Sequence, residues 1–208
     1  MRLRKIPEAR TVVGNSPIVI SETDARSQIN RWQQQFAAAQ PLYLEIGCGR
    51  GRFITEAAAA YPDINWIGWE LREEMLLLTL RRLEQPLANL RLIWGDAAYI
   101  DQVFAAGEID RIYLNFPDPW PKNRHAKRRL TSGCFLKRFR QILATDGQIF
   151  FKTDDKDFFL ISQENFAAEN WQEVAAGIAL EPDMIISEYE ARYRRQGKAI
   201  HYCQYQRR

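Results

Sequence analysis

An alternation of apolar periods along the chain narrows the fold more than any other feature. Runs that read as buried strands take turns with runs whose apolar residues recur at helical spacing. The first strand pattern is Leu42-Tyr43-Leu44-Glu45-Ile46, stopped by Gly47, and the spacing predicts a helix over Arg52–Ala60. A strand at 64–69, a leucine-rich helix at 71–83 and a strand at Leu90–Trp94, ended by Gly95-Asp96, follow. Ile109–Asn115 reads as a fourth strand before a proline-broken loop. Phe135, Leu136, Phe139, Ile142 and Leu143 then fall at helical spacing, and 147–152 reads as a fifth strand after an Asp146-Gly147 break. The last third predicts a helix near 157–168 and strands near 184–187 and 199–205. The order implies an α/β, doubly wound, mostly parallel seven-stranded sheet with helices on both faces and ligands gathered at the carboxyl ends of the strands. With 208 residues, 46% of them apolar, the chain can bury one substantial core. One domain over 16–208 is therefore expected, preceded by a basic, flexible arm over 1–15.

The formal net charge is only +3, but its distribution is uneven. Residues 119–145 contain no acid and carry Lys122, Arg124, Lys127, Arg128, Arg129, Lys137, Arg138 and Arg140. A second acid-free run, 191–208, holds Arg192, Arg194, Arg195, Lys198, Arg207 and Arg208, while Glu45, Glu70, Asp96 and Asp118 lie elsewhere. Such segregation predicts a polyanionic partner; basic, solvated helix faces are the alternative. Cys48, Cys134 and Cys203 are too far apart for a disulfide framework or for zinc-ligand spacing, which predicts a reducing, cytoplasmic setting and no metal. No apolar run approaches the roughly 20 residues of a membrane span. Met1-Arg2-Leu3-Arg4-Lys5 has no apolar stretch behind it, so neither a membrane nor secretion is expected.

Glu45-Ile46-Gly47-Cys48-Gly49-Arg50-Gly51 stands where the first strand turns into the first helix, so its glycines would let backbone approach a ligand and aim amides at it. A dinucleotide fingerprint would need glycine at 52, where this chain has Arg52, which argues against a dehydrogenase. Glu45 would repel a pyrophosphate and favour a cationic ligand. Glu70, about 20 residues further on, ends the second strand, where a carboxylate can accept both hydroxyls of a ribose. Asp96 ends the third. This set resembles the cofactor site of class I, Rossmann-like methyltransferases. The resemblance implies that Glu45, Gly47 and Gly49 face the methionine part of S-adenosylmethionine, Glu70 the ribose, and Asp96 and Ala97 the adenine, with Asn115 at the end of strand four also on the cofactor.

The loop after the fourth strand reads Asn115-Phe116-Pro117-Asp118-Pro119-Trp120-Pro121-Lys122-Asn123-Arg124-His125-Ala126-Lys127-Arg128-Arg129-Leu130. Methyltransferases of exocyclic amines commonly carry Asn/Asp-Pro-Pro-aromatic here. This loop opens with asparagine but has a carboxylate where the second proline would begin, so amine chemistry fits less well. The run is similar to the signature of bacterial tRNA (guanine-N7)-methyltransferases, approximately N-x-P-D-P-W-P-K-x-R-H-x-K-R-R. The similarity extends through Thr153-Asp154 to Ser187-Glu188-Tyr189-Glu190, where serine replaces the family's usual threonine. It implies transfer of a methyl group to N7 of the variable-loop guanine at position 46 of tRNA, by a monomer or homodimer. Asp118 would be catalytic, with Lys122, Asp154, Ser187 and Glu190 at the substrate and Arg124, Lys127, Arg128 and Arg129 on RNA phosphates.

The chemistry agrees with that assignment. Guanine N7 has a free in-plane lone pair at neutral pH, so it attacks a sulfonium methyl without losing a proton and needs no general base. The enzyme must align the reactants and offset the positive charge passing to the purine, and a fixed carboxylate suits both tasks. Asp118 could also accept from guanine N1–H and N2–H, which adenine lacks. Trp120 either stacks on the base or pins the loop, and His125 packs or caps rather than catalyses. Helix capping is the other role open to Asp154, and an exposed acid the other reading of Glu190. Two rival functions stand beside this one: an exocyclic-amine RNA methyltransferase and a non-catalytic RNA-binding protein.

Overall fold

The computed structural model describes residues 5–181 and 184–207, and the chain divides into two compact units, one ending at Phe104 and the other beginning at Ala105. In the first, α1 (Ala9–Gly14), β1 (Val19–Ser21) and α2 (Glu22–Ala25) lead into β2 (Leu42–Ile46), α3 (Arg52–Ala60), β3 (Asn65–Glu70), α4 (Glu73–Leu80) and β4 (Leu90–Trp94). The strands are parallel in the order β1-β4-β3-β2, with Leu44 beside Ile67 and Gly68 beside Leu92. Parallel strands covered on both faces are apolar along their length rather than at alternate positions. Trp66, Ile67, Gly68 and Trp69 of β3 are accordingly all buried, whereas β2 buries Leu42, Leu44 and Ile46 on one face and Glu45 on the other.

The second unit contains β5 (Ile109–Asn115), α5 (Gly133–Ile142), β6 (Leu143–Thr153), α6 (Lys156–Ala168), β7 (Gln172–Ile178), α7 (Glu188–Arg195) and β8 (His201–Gln206). Its order is β5-β6-β8-β7, with β5 and β6 parallel and β8 antiparallel to both its neighbours. The helical spacing at Phe135, Leu136, Phe139 and Ile142 is the buried face of α5.

Several boundaries differ from expectation. Eight strands occur among the described residues rather than seven. Residues 184–187 form no strand: Met184 is 85% exposed, and Ser187 instead caps α7, an unforeseen helix. The strand lies earlier, at β7, whose mostly exposed residues leave no apolar alternation to read. Asp146-Gly147 does not end an element, because β6 runs through it with a shift of register: Leu143 pairs with Ile109 and Gln148 with Arg111. A side chain at Gly147 would meet Leu143 Cδ2 at 2.8 Å and the Ala144 carbonyl at 2.9 Å. α4 is shorter than 71–83 because Glu70 takes the Arg72 N–H and holds that residue extended. Within the stretch expected as a flexible arm, α1 buries Ala9 and Val13 on one face and packs against α4, with Glu8 paired to Arg81. Residues 1–4 of that arm lie outside the described residues.

Candidate active site

In the first unit, the glycine loop is held in place by the strand beside it and by α4. Gly47, Gly49 and Gly51 have φ of 76°, 58° and 77°, the left-handed region that glycine enters without steric cost. At Gly51 the constraint is also spatial, since a Cβ there would lie 2.3 Å from Thr79 Cγ2. Thr79 Oγ1 donates to the carbonyls of Gly49 (3.1 Å) and Met75 (3.2 Å), and Arg82 Nε donates to the Arg50 carbonyl (2.7 Å). The loop amides were expected to face a ligand, and four of them do not. Gly47 and Cys48 donate to the Trp69 carbonyl, at 2.8 and 3.1 Å, and Gly51 to that of Cys48 at 3.0 Å. Gly49 donates to Glu70 Oε2 at 3.0 Å. A phosphate would find these donors already used, which removes the interaction that makes a glycine loop an anion site.

The carboxylates supply the opposite field. Glu45 is 2% exposed at the end of β2, and Glu70 ends β3 with Oε1 accepting from the Arg72 amide at 3.0 Å. Burial raises the Glu70 carboxyl above its ordinary value, while the amides of Arg72, Gly49 and Leu71 pull it back. Burial, and then the charges of Glu45 and Glu70, push the Cys48 thiol well above its usual range. The thiol therefore stays neutral between two negative groups. Asp96 follows β4: its Oδ1 caps the turn over Ala97–Gln102 by accepting from Ala98 N (2.9 Å). Its own amide donates to Glu22 Oε2 at 3.0 Å. Glu22 was not singled out from sequence, because nothing local ties position 22 to position 96.

In the second unit, the loop after β5 carries Asp118 between two residues in the left-handed region, Phe116 (φ 53°) and Trp120 (φ 42°). Such backbone persists only where neighbours over-determine it, and Arg129 is the principal neighbour. Only 7% exposed, it donates Nε to the carbonyls of Pro119 (2.9 Å) and Trp120 (3.3 Å), and Nη2 to Trp120 (3.0 Å). Expected on an RNA phosphate, Arg129 here turns its Nε and Nη2 donors inward onto the loop. The Trp120 ring stacks on His125 at 5.6 Å, and the Arg128 guanidinium lies 5.1 Å from its centre. Trp120 thus pins the loop. Arg124 Nε donates to His125 Nε2 at 3.0 Å, which fixes the imidazole as an acceptor there. Asp118 is exposed and makes no hydrogen bond or ion pair among the described residues. Lys122, Arg124, Lys127 and Arg128 are also exposed, and Asn115 lies at the end of β5 beside Lys152.

The remaining candidates separate. Asp154 does not cap α6, a task done by Asp155, whose Oδ1 accepts from Phe158 N at 2.9 Å. Asp154 Oδ2 accepts from Lys198 Nζ instead. Ser187 and Glu190, expected at the substrate, are built into the fold. Ser187 Oγ accepts from Glu190 N at 3.1 Å as the cap of α7. Glu190, 1% exposed, accepts from Lys152 Nζ (3.0 Å) and from Arg194 Nε (2.9 Å). Arg194 in turn donates to the carbonyls of Ala179, Leu180 and Glu181, so one of the cations of the second acid-free run serves the fold rather than a polyanion.

Comparison with known proteins identifies this architecture. A family model described as a putative methyltransferase matches residues 39–203. The tRNA (guanine-N(7)-)-methyltransferase of Brevibacillus brevis is 41% identical over 97% of this chain and 96% of its own length. That of Geobacillus kaustophilus is 41% identical over 98% and 96%. This chain belongs to the tRNA (guanine-N7)-methyltransferase family. Solved structures share the methyltransferase fold at much lower identity. The 16S rRNA (adenine(1408)-N(1))-methyltransferase of Catenulisporales acidiphilia, in a mutant form solved with its cosubstrate S-adenosylmethionine, superposes with a TM-score of 0.62 at 15% identity, covering 88% of this chain and 91% of that one. A SAM dependent methyltransferase from Aquifex aeolicus gives 0.58 at 10%, covering 87% and 97%.

The first unit suits the methyl donor of such an enzyme. A sulfonium and an α-amino group are both positive, and Glu45 and Glu70 set a negative field around Cys48. Carboxylates at the ends of β3 and β4 add hydrogen-bond acceptors. Among the described residues no cluster of histidine, cysteine or acid could hold a metal ion, and no helix is long and apolar enough to cross a membrane.

Proposed function

We propose that this chain transfers the methyl group of S-adenosylmethionine to N7 of guanine in tRNA, at position 46 of the variable loop. The observation that carries this reading is the 41% identity to tRNA (guanine-N(7)-)-methyltransferases over nearly the whole of both chains. The donor supplies an electrophilic methyl on a positive sulfur. Glu45 and the loop at Gly47 and Gly49 hold its methionine end, Glu70 accepts from the ribose hydroxyls, Asp96 and Ala97 border the adenine, and Asn115 lines the donor side. Asp118 presents an exposed carboxylate on a rigid loop, where it accepts from guanine N1–H and N2–H and offsets the positive charge that develops on the purine. No residue has to remove a proton, which agrees with a His125 imidazole engaged by Arg124. Lys122 and Asp154 border the base, and Arg124, Lys127 and Arg128 face phosphates around the extruded nucleotide.

Residues 16–208 act as one catalytic domain, in the cytoplasm where tRNA matures, as a monomer or a homodimer. Digestion and mass spectrometry of tRNA incubated with the protein and S-adenosylmethionine tests the reaction: 7-methylguanosine is expected at position 46. tRNA carrying 7-deazaguanine there keeps the N1 and N2 donors and lacks only the attacking atom. It should bind and accept no methyl, and methylation of that substrate would place the chemistry on another atom.

A further inference from the structure

One chain of contacts in the second unit runs from Asp154 through Lys198 and Tyr193 to the start of the Asp118 loop. Lys198 Nζ, besides donating to Asp154 Oδ2, lies 4.3 Å from the centre of the Tyr193 ring. Tyr193 packs on Phe116 with ring centres 5.6 Å apart. Phe116 opens the Asp118 loop, is held in the left-handed region, and donates its N–H to the Lys152 carbonyl at 2.8 Å. Lys198 itself is placed by the turn that ends α7, where its N–H donates to the Tyr193 carbonyl at 3.1 Å after Gly197 at φ 70°. Asp155 carries the helix cap, so Asp154 is spared that duty and Lys198 sets the direction of its carboxylate.

An ammonium has only donors, and so does the N1–H and N2–H edge of guanine. The Lys198 ammonium occupies Asp154 Oδ2 and leaves Oδ1 without a hydrogen bond among the described residues. We infer that Lys198 is a positioning residue for guanine recognition: it clamps one oxygen of Asp154 so that the other meets the base, and its seat on Tyr193 ties that carboxylate to Phe116 and the Asp118 loop. This rests on the reading of Asp154 as a guanine-binding residue. The hydrogen bond to Asp154 raises the Lys198 ammonium above its ordinary value, which keeps the clamp charged throughout the neutral range. A lysine serving only solubility at this half-exposed position would leave substrate parameters alone when replaced.

The test compares Lys198→Met, Lys198→Arg, Asp154→Asn and the Asp154→Asn/Lys198→Met double variant for tRNA KM, kcat and S-adenosylmethionine affinity. Residues acting as a unit are non-additive. Lys198→Met and Asp154→Asn should each raise the tRNA KM by roughly tenfold, a coupling of ordinary size for contacting residues. The double variant should be no worse than Asp154→Asn, and donor affinity should not move. Lys198→Arg keeps a donor and a cation over the ring, so it should stay within about threefold of the parent. Lys198→Gln replaces Lys198→Met if the latter is insoluble. A parental KM in Lys198→Met, or effects that multiply in the double variant, would overturn the inference while leaving an impaired Asp154→Asn to support the role of Asp154. A parental Asp154→Asn would overturn both.

Discussion

Arg129→Ala separates an architectural arginine from an RNA-binding one within the same basic cluster. The guanidinium makes three contacts of 2.9–3.3 Å to two carbonyls, and those carbonyls belong to the residues immediately after Asp118. Hydrogen bonds to a charged group contribute about 1.5–3 kcal/mol each. Pro119 and Trp120 are only half-buried, so water can take up the freed carbonyls and recover part of the loss. A net cost of about 2–3 kcal/mol to the ordered loop is therefore expected. Since about 1.36 kcal/mol is a factor of ten, methyl transfer should slow by roughly 30- to 150-fold when loop order limits the step. Single-turnover methylation at saturating donor and tRNA measures this, alongside tRNA affinity across a salt series. The slope of log affinity against log salt should change by less than the roughly 0.7–0.9 unit that one lost phosphate contact produces. Arg129→Lys should not rescue the rate, because an ammonium cannot span both carbonyls as a planar fork does. A parental rate with a slope flattened by a full contact would refute the brace and return Arg129 to the RNA surface.

Asp118→Asn keeps the shape and one acceptor but loses the charge, and should bind donor normally while slowing transfer by roughly 10²–10³, the scale of one lost electrostatic contact; single-turnover rates decide it. The raised Glu70 carboxyl means that donor affinity is lost as pH falls through a value higher than that of an exposed glutamate, and Glu70→Gln should abolish that dependence in calorimetry. The sign for the free protein is opposite, since a folded state that holds its proton more tightly is relatively stabilised as pH falls. Gly51→Ala forces a Cβ against Thr79 at φ 77° and should cost at least about 1–3 kcal/mol, read as a lower unfolding midpoint together with weaker donor binding. Glu190→Ala removes the buried carboxylate shared by Lys152 and Arg194 and should destabilise the fold, by up to about 3–5 kcal/mol in denaturant titration; normal stability with lost tRNA binding would instead make Glu190 a substrate ligand.

Three strands were legible because their apolar residues stand out from the turns on either side. Leu42–Ile46, Leu90–Trp94 and Ile109–Asn115 begin and end where the pattern does. Where burial is partial, the sequence carries less. β7 lies mostly exposed at the edge of its sheet, and α1 buries only two residues. At Ser187 and Glu190 one local pattern supports two readings. Serine followed three residues later by glutamate is a helix-start signal, and the hydroxyl does cap α7, while the resemblance to the family implies a substrate role for the same two residues. Among the basic residues, sequence could not distinguish those that face outward, such as Lys127 and Arg128, from Arg129 and Arg194, which bond to carbonyls. That difference depends on where distant carbonyls come to lie.

The inward turn of the glycine-loop amides limits what could become of this scaffold. Four of its N–H groups bond to Trp69, Glu70 and Cys48 before any ligand arrives. Neutralising Glu45 and Glu70 would therefore remove the preference for a cation without creating an affinity for phosphate. To reach a nucleotide-phosphate binder, a lineage would have to rebuild the backbone path itself. Loop and strand end would have to change together, so the two kinds of Rossmann-like site are separated by a step that single side-chain replacements cannot take.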